Sequence, residues 1–145
     1  MEAKISTDIQ KNIHDFNKAL NIEENFDIIY RVIEIGKKTC CLYLIDGLNK
    51  DDILEKLMTS FYGIKEADMP TNAHAFFKAL LPYGEVDLMD EPKQIVTTLL
   101  SGVPMLFVDG FEAALAIDFR TYPARSIEEP RSTLSLSGSS MLRAG

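Results

Sequence analysis

The chain has 145 residues, of which 46% are hydrophobic and 26% charged, and its formal net charge is −7. This composition is typical of one globular domain and argues against a disordered, collagenous or disulfide-rich chain. The acidic excess argues against nucleic acid as a partner, because affinity for a phosphate backbone comes largely from Lys and Arg. No apolar run approaches the roughly 20 residues of a membrane-spanning helix, and residues 1–6 do not resemble a secretory signal, so we expect a soluble, cytoplasmic chain.

The first predicted element is a helix capped by Ser6 or Thr7. Its apolar residues recur at steps of three and four and so form one stripe that faces a core. The stripe consists of Ile9, Ile13, Phe16 and Leu20.

A β-hairpin is predicted next. Residues 26–35 and 39–45 are rich in β-branched and aromatic side chains and flank a turn at Gly36-Lys37-Lys38. The second strand is apolar at six consecutive positions, so we expect both of its faces to be covered. The adjacent Cys40 and Cys41 then point to opposite faces and serve as packing residues, with a vicinal disulfide as the alternative.

Three further helices and a second hairpin complete the pattern. One helix follows Asp46-Gly47, one is capped by Asn72, and one begins at Asp90-Glu91-Pro92 after a short strand at 85–88. Strands at 105–108 and 113–119 flank Asp109-Gly110, a dipeptide common in hairpin turns. Strands separated by helices are often parallel. The sequence therefore predicts an α/β or α+β fold, with a mixed sheet of two hairpins plus a short strand, packed with about four helices.

We expect the domain to occupy residues 1–130 and a Ser/Gly-rich tail to occupy residues 131–145. Residues 1–130 hold all 22 acidic residues and 13 of the 15 basic ones, a net charge of −9, whereas the tail carries +2. Five of the fifteen tail residues are serine, which is typical of a tail or linker.

Catalytic signatures are scarce in this sequence. It has no phosphate-binding loop, no dinucleotide fingerprint and no His-Glu-x-x-His zinc motif. His14 and His74 lie on different predicted helices, and neither has a second ligand at metal spacing. A Cys–His nucleophilic pair is disfavoured because an apolar central strand does not suit a reactive thiolate. We therefore expect no enzyme activity, no cofactor and no metal.

The segment after the last strand combines two prolines, two arginines, two aromatic residues and paired acids over residues 118–130. One interpretation is an irregular, exposed strand exit. The other is a recognition loop, because Arg and Tyr are enriched where one protein grips another.

At these residues the chain resembles the N-terminal soluble domain of the GerA-type spore germination proteins, which comprise germinant-receptor A subunits and SpoVAF. Shorter matching features are the hairpin ending at 43–47, Leu-Leu-Ser-Gly at 99–102 and Phe-Val-Asp-Gly at 107–110. The most specific is Tyr-Pro-Ala-Arg-Ser-Ile-Glu-Glu-Pro at 122–130, which is similar to the family's aromatic-Pro-x-Arg-x-x-Glu-Glu-Pro signature. The family's continuation does not match residues 131–145, so we expect a truncated continuation or a non-native tail.

The resemblance implies a non-catalytic, cytosol-facing domain of a spore inner-membrane protein that acts in subunit assembly and signal transmission during germination. It implies homo- or hetero-oligomers with other germination subunits, and membrane attachment only through segments absent from this chain. The candidate interface residues are Phe119, Arg120, Tyr122, Pro123, Arg125, Glu128, Glu129 and Pro130.

Two further interpretations stay open. The chain could be a small-molecule binding domain that recognises a germinant-like ligand, with Arg31, Arg120 and Arg125 as candidates for holding a carboxylate. It could also be a plain α/β domain whose charge only keeps it soluble.

Overall fold

A computed structural model of the protein describes residues 4–25, 27–47, 51–80 and 85–118. The helices are α1 (Ile9–Ala19), α2 (Asp51–Gly63), α3 (Ala73–Leu80) and α4 (Pro92–Leu100). The strands are β1 (Ile28–Ile35), β2 (Lys38–Ile45), β3 (Glu85–Met89), β4 (Met105–Val108) and β5 (Ala114–Asp118). Within these ranges no helix is long and apolar enough to cross a bilayer.

The five strands form one sheet in the order β1-β2-β4-β5-β3, and every neighbouring pair is antiparallel. The two hairpins, the short strand, the four helices and the α/β class are confirmed. The expected mixture of parallel and antiparallel neighbours is wrong. β3 and β4, which α4 connects, do run in the same direction, but β5 lies between them and pairs with both in the antiparallel sense. This arrangement is a split βαβ unit.

Apolar side chains cover both faces of the sheet, which makes three layers. On one face, α2 and α3 pack their buried residues against Cys40, Leu42 and Leu44 of β2. On the other face, α1 and α4 pack against Cys41 and Tyr43. The six consecutive apolar residues of β2 are therefore explained by its interior position in the sheet, because their side chains alternate between two faces that are both covered by helices.

A tight turn at Gly36-Lys37 joins β1 to β2. Both residues have positive φ, 54° and 66°, as a two-residue type I′ turn requires. A Cβ at Gly36 would lie 2.5 Å from the Cβ of Met69, so the position needs glycine for space as well as for conformation.

Residues 4–8, here called the N-terminal strap, are held by hydrogen bonds to α1 and to the segment before α4. Asn12, 4% exposed, accepts from the Ser6 N–H at 2.9 Å and donates to the Ser6 carbonyl at 2.7 Å. The Ile5 N–H donates to the Asp90 carbonyl at 2.9 Å. The Asp8 side chain, rather than Ser6 or Thr7, caps α1. These bonds fix the start of α1 against the segment before α4.

Candidate functional site

The two cysteines are packing residues, as predicted. Both are free and fully buried, Cys40 in the core beneath α2 and α3 and Cys41 in the core beneath α1 and α4. Burial raises the pKa of each thiol to about 12, so almost no thiolate exists near neutral pH. A nucleophilic role for either is therefore unsupported.

The two histidines lie on different helices, as predicted. His14 lies on α1 and His74 on α3, and both are exposed. The His74 ring stacks on Phe77 at 5.9 Å between centroids. Among the residues that the structure describes, no three His, Cys, Asp or Glu side chains come together as a metal site would require.

The outer edge of β1 is the most open feature of the sheet, because no described strand pairs with it. The Asp46 N–H donates to the Asp27 carbonyl at 2.7 Å, so residues 27 and 46 form a hydrogen-bonded pair. In an antiparallel ladder such pairs recur at every second residue of each strand. Odd-numbered residues of β1 therefore bond to β2, and the even-numbered residues turn their N–H and C=O groups outward. The outward groups beyond Ile28 belong to Tyr30, Val32 and Glu34.

The side chains of the same residues are exposed. Tyr30 is 39% exposed and Val32 is 54% exposed, and both lie on the face that α1 and α4 cover elsewhere. We call Tyr30, Val32 and Glu34, with their outward backbone groups, the β1 edge. Exposed apolar side chains beside unpaired backbone groups are a template for another strand.

Tyr30 connects the β1 edge to the core. Its ring stacks on Tyr43 with centroids 5.7 Å apart and an interplanar angle of 25°. The Tyr43 hydroxyl donates to Asn17 Oδ1 at 2.6 Å, which satisfies a polar group in an apolar layer. Burial raises the pKa of Tyr43 above its usual range, so this hydroxyl stays a donor. The Tyr30 side chain at the β1 edge thus packs against Tyr43, which is buried and hydrogen-bonded.

A cleft of about 420 Å³ lies between α1 and β1. Most of its lining side chains are polar, and it has two larger apolar surfaces, Ile22 and Tyr30. The lining residues are His14, Asn17, Lys18, Asn21, Ile22, Glu23 and Tyr30. Its volume is in the range of ligand sites, but such sites are predominantly apolar and bury most of the ligand.

The candidate residues named from the sequence lie mostly outside the described residues. This holds for Phe119, Arg120, Tyr122, Pro123, Arg125, Glu128, Glu129 and Pro130, so their placement stays a prediction. Arg31 is described, exposed, and on the face of β1 opposite Tyr30. It does not line the cleft.

Tyr30 and Val32 were not singled out from the sequence. The signal available there was the pair Arg31 and Glu34, two charges inside an otherwise apolar strand, which indicates an edge position.

Comparison with known proteins decides the family. The family model described as Bacillus/Clostridium GerA spore germination protein matches residues 15–141. The chain belongs to this family. The resemblance seen in the sequence is thereby confirmed, and the match runs through most of the described residues and beyond Asp118.

Three curated relatives come from Bacillus subtilis strain 168. Spore germination protein B1 is 29% identical over 136 residues, which cover 89% of this chain and 27% of that protein. Spore germination protein KA is 27% identical and covers 92% of this chain and 25% of that protein. Stage V sporulation protein AF is 26% identical and covers 83% of this chain and 24% of that protein. The chain thus spans about a quarter of the length of these relatives.

A solved structure has the same fold. It is the N-terminal domain of the A subunit of the Bacillus megaterium spore germinant receptor GerK3, with a TM-score of 0.69 and 16% sequence identity. The match covers 83% of this chain and 49% of that chain. At this identity the likeness establishes the fold alone.

Proposed function

We propose that this GerA-family chain is a non-catalytic domain that acts in subunit assembly and signal transmission during spore germination. In the whole protein the domain lies at the cytoplasmic face of the spore inner membrane. Its partners are other subunits of a germination complex, in homo- or hetero-oligomers. The observation that carries this proposal is the β1 edge, because it has exposed apolar side chains and backbone groups that pair with no described strand, and both suit contact with protein.

The segment after β5 supplies the second contact surface in this proposal. β5 is an interior strand that ends at Asp118, and the family signature follows directly. Its Tyr and Arg residues are the types that anchor protein interfaces, and its Glu residues can pair with cations of a partner. The proposed contact residues are Phe119, Arg120, Tyr122, Pro123, Arg125, Glu128, Glu129 and Pro130.

A second candidate function, binding of a small germinant-like molecule, is favoured by the cleft between α1 and β1. Lys18 and His14 could meet an anionic group there, and Glu23 a cationic one. The cleft is less suited to this role than the β1 edge is to protein contact, because most of its lining residues are exposed and it would bury little of a ligand's surface. Arg31, the described member of the arginine set proposed from the sequence, lies on the other face.

Co-purification tests the assembly function. A tagged 145-residue chain is expressed in sporulating Bacillus subtilis beside a variant with Arg120→Glu and Arg125→Glu. A matched control reverses the same number of charges in the tail, with Arg131→Glu and Arg143→Glu. We expect germination subunits to co-purify with the wild-type chain and the control, and recovery to fall with the signature variant. Equal recovery from all three, or no enrichment over an untagged strain, would contradict the proposal.

A further inference from the structure

We propose that the β1 edge pairs with the β1 edge of a second copy of this chain, so that two sheets join across a two-fold axis. This inference rests on the proposed assembly function and deepens it, because it names one partner and the surface that the partner uses. The contact is antiparallel strand addition, in which main-chain hydrogen bonds supply the affinity and alternate side chains supply the specificity.

Backbone geometry supplies the first argument. Tyr30, Val32 and Glu34 each turn an N–H and a C=O away from β2, as the β1–β2 register requires. A second β1 in the antiparallel orientation offers the same groups at the same spacing. The two rows then satisfy one another, and the sheet continues without a break.

Side-chain pairing selects the register. With Val32 opposite Val32 of the copy, the exposed valines meet, Tyr30 lies opposite Glu34, and no like charges are directly opposed. Moving the centre of the pairing to Arg31 would set two guanidinium groups opposite each other, which is destabilising. Of these two registers, the one centred on Val32 is therefore favoured.

The contrast between the two sheet edges supports the choice of β1. β3, the other edge strand, has five residues, and its exposed residues include Glu85 and Asp87. β1 forms an uninterrupted ladder of eight pairs with β2 and contains neither proline nor a bulge. The charged residues of this edge are Arg31 and Glu34, and it lacks the prolines and bulges with which proteins also protect long edges, which fits an edge that is covered in the assembly.

The size of the contact predicts weak pairing of the isolated chain. One pair of eight-residue strands buries less than the roughly 1,200 Å² of a stable interface. Attachment to a larger complex would raise the effective concentration of the two edges and so strengthen the contact. Repulsion between two chains of net charge −7 is screened by salt, so pairing should increase with ionic strength.

Cross-linking through Val32→Cys tests this in the full 145-residue chain. A short bis-maleimide reacts with the new thiol, while Cys40 and Cys41 are buried and give little background. The control is Tyr62→Cys, at a residue on α2 that is 64% exposed. We expect about tenfold more covalent dimer from Val32→Cys than from the control, which corresponds to about 1.4 kcal/mol of contact free energy. We also expect the dimer yield to rise with salt.

A proline variant tests the hydrogen bonds. The Val32 N–H points away from β2, so Val32→Pro removes an outward donor while sparing the β1–β2 ladder. With Tyr30→Cys and Glu34→Cys combined as the cross-linking positions, which lie opposite each other in the paired copies, Val32→Pro should abolish the dimer. Circular dichroism checks the fold, and Val32→Lys replaces the proline variant if the chain does not fold.

The results that overturn the inference are specific. Dimer yields from Val32→Cys and from the Tyr30→Cys/Glu34→Cys double variant equal to that from Tyr62→Cys would refute the pairing, as would a dimer that survives both Val32→Pro and Val32→Lys. Pairing of Val32→Cys with a different protein but never with itself would also refute it. Each of these outcomes leaves the co-purification test of the signature segment unaffected, so failure of the pairing and failure of the assembly function are distinguishable.

Discussion

Replacing Asn12 with alanine tests whether the N-terminal strap is an integral part of the domain. The Asn12 side chain makes two hydrogen bonds with the backbone of Ser6, at 2.9 Å and 2.7 Å, and it is the described polar side chain that is most deeply buried. Each such bond contributes about 0.5–1.5 kcal/mol net, so losing both should lower the free energy of unfolding by about 2 kcal/mol. The loss should fall on the strap first, because its remaining attachments are single backbone bonds, a surface ion pair and the packing of the partly buried Ile5.

Urea unfolding followed by circular dichroism measures this loss. In thermal unfolding, a loss of about 2 kcal/mol corresponds to a decrease in Tm of roughly 6–10 °C for a chain of this size. The matched control is Gln10→Ala, on an exposed position of the same helix, where we expect a change within about 0.5 kcal/mol. Hydrogen exchange at the Gly110 amide, which donates to Thr7 in the strap at 2.8 Å, should accelerate in Asn12→Ala alone. If Asn12→Ala is as stable as Gln10→Ala, the strap is not integral and the reasoning fails.

Three further predictions follow from the core and the turns. Tyr43→Phe should cost about 1 kcal/mol in chemical denaturation, because it deletes one buried hydrogen bond and keeps the ring; an unchanged midpoint would contradict this. Cys40 and Cys41 should label with a thiol reagent only on unfolding, and stability should fall as pH rises from about 9 towards 12, because the unfolded thiols ionise first; rapid labelling of the native chain would refute their burial. Gly36→Ala should cost at least about 2 kcal/mol through both φ and a clash, against about 1 kcal/mol for Gly47→Ala, where φ is also positive but space is open; equal losses would show that the clash is absent.

Local patterns in the sequence correctly predicted most of the elements. The apolar stripe of α1, the six apolar residues of β2 and the opposite directions of Cys40 and Cys41 all follow from the periods of helix and strand. The cap of α3 was also predicted, since Asn72 Oδ1 accepts from the Ala75 N–H at 2.8 Å. These features depend on residues only a few positions apart.

Features set by distant contacts were not predicted. The sequence makes Asp90 a candidate cap at the start of α4. Instead, the Asp90 carbonyl accepts from the strap and its side chain pairs with Lys4 at 2.8 Å, and Glu91 occupies the capping position without a side-chain bond. The antiparallel pairing of β2 with β4 joins residues more than 60 positions apart, and no local pattern specifies it. The charges of Arg31 and Glu34 are a local indication that β1 is an edge strand, but they do not specify it alone, because the position of a strand in the sheet depends on the whole strand order.

Site-specific photo-cross-linking in sporulating cells tests the central claim most directly. The substitution Tyr122→p-benzoylphenylalanine places the reactive group in the family signature, and Tyr62→p-benzoylphenylalanine on α2 is the control. An assembly domain predicts a covalent adduct with another germination subunit from position 122 and none from position 62. Absence of any subunit adduct from position 122, with the variant chain present at wild-type levels, would contradict the account.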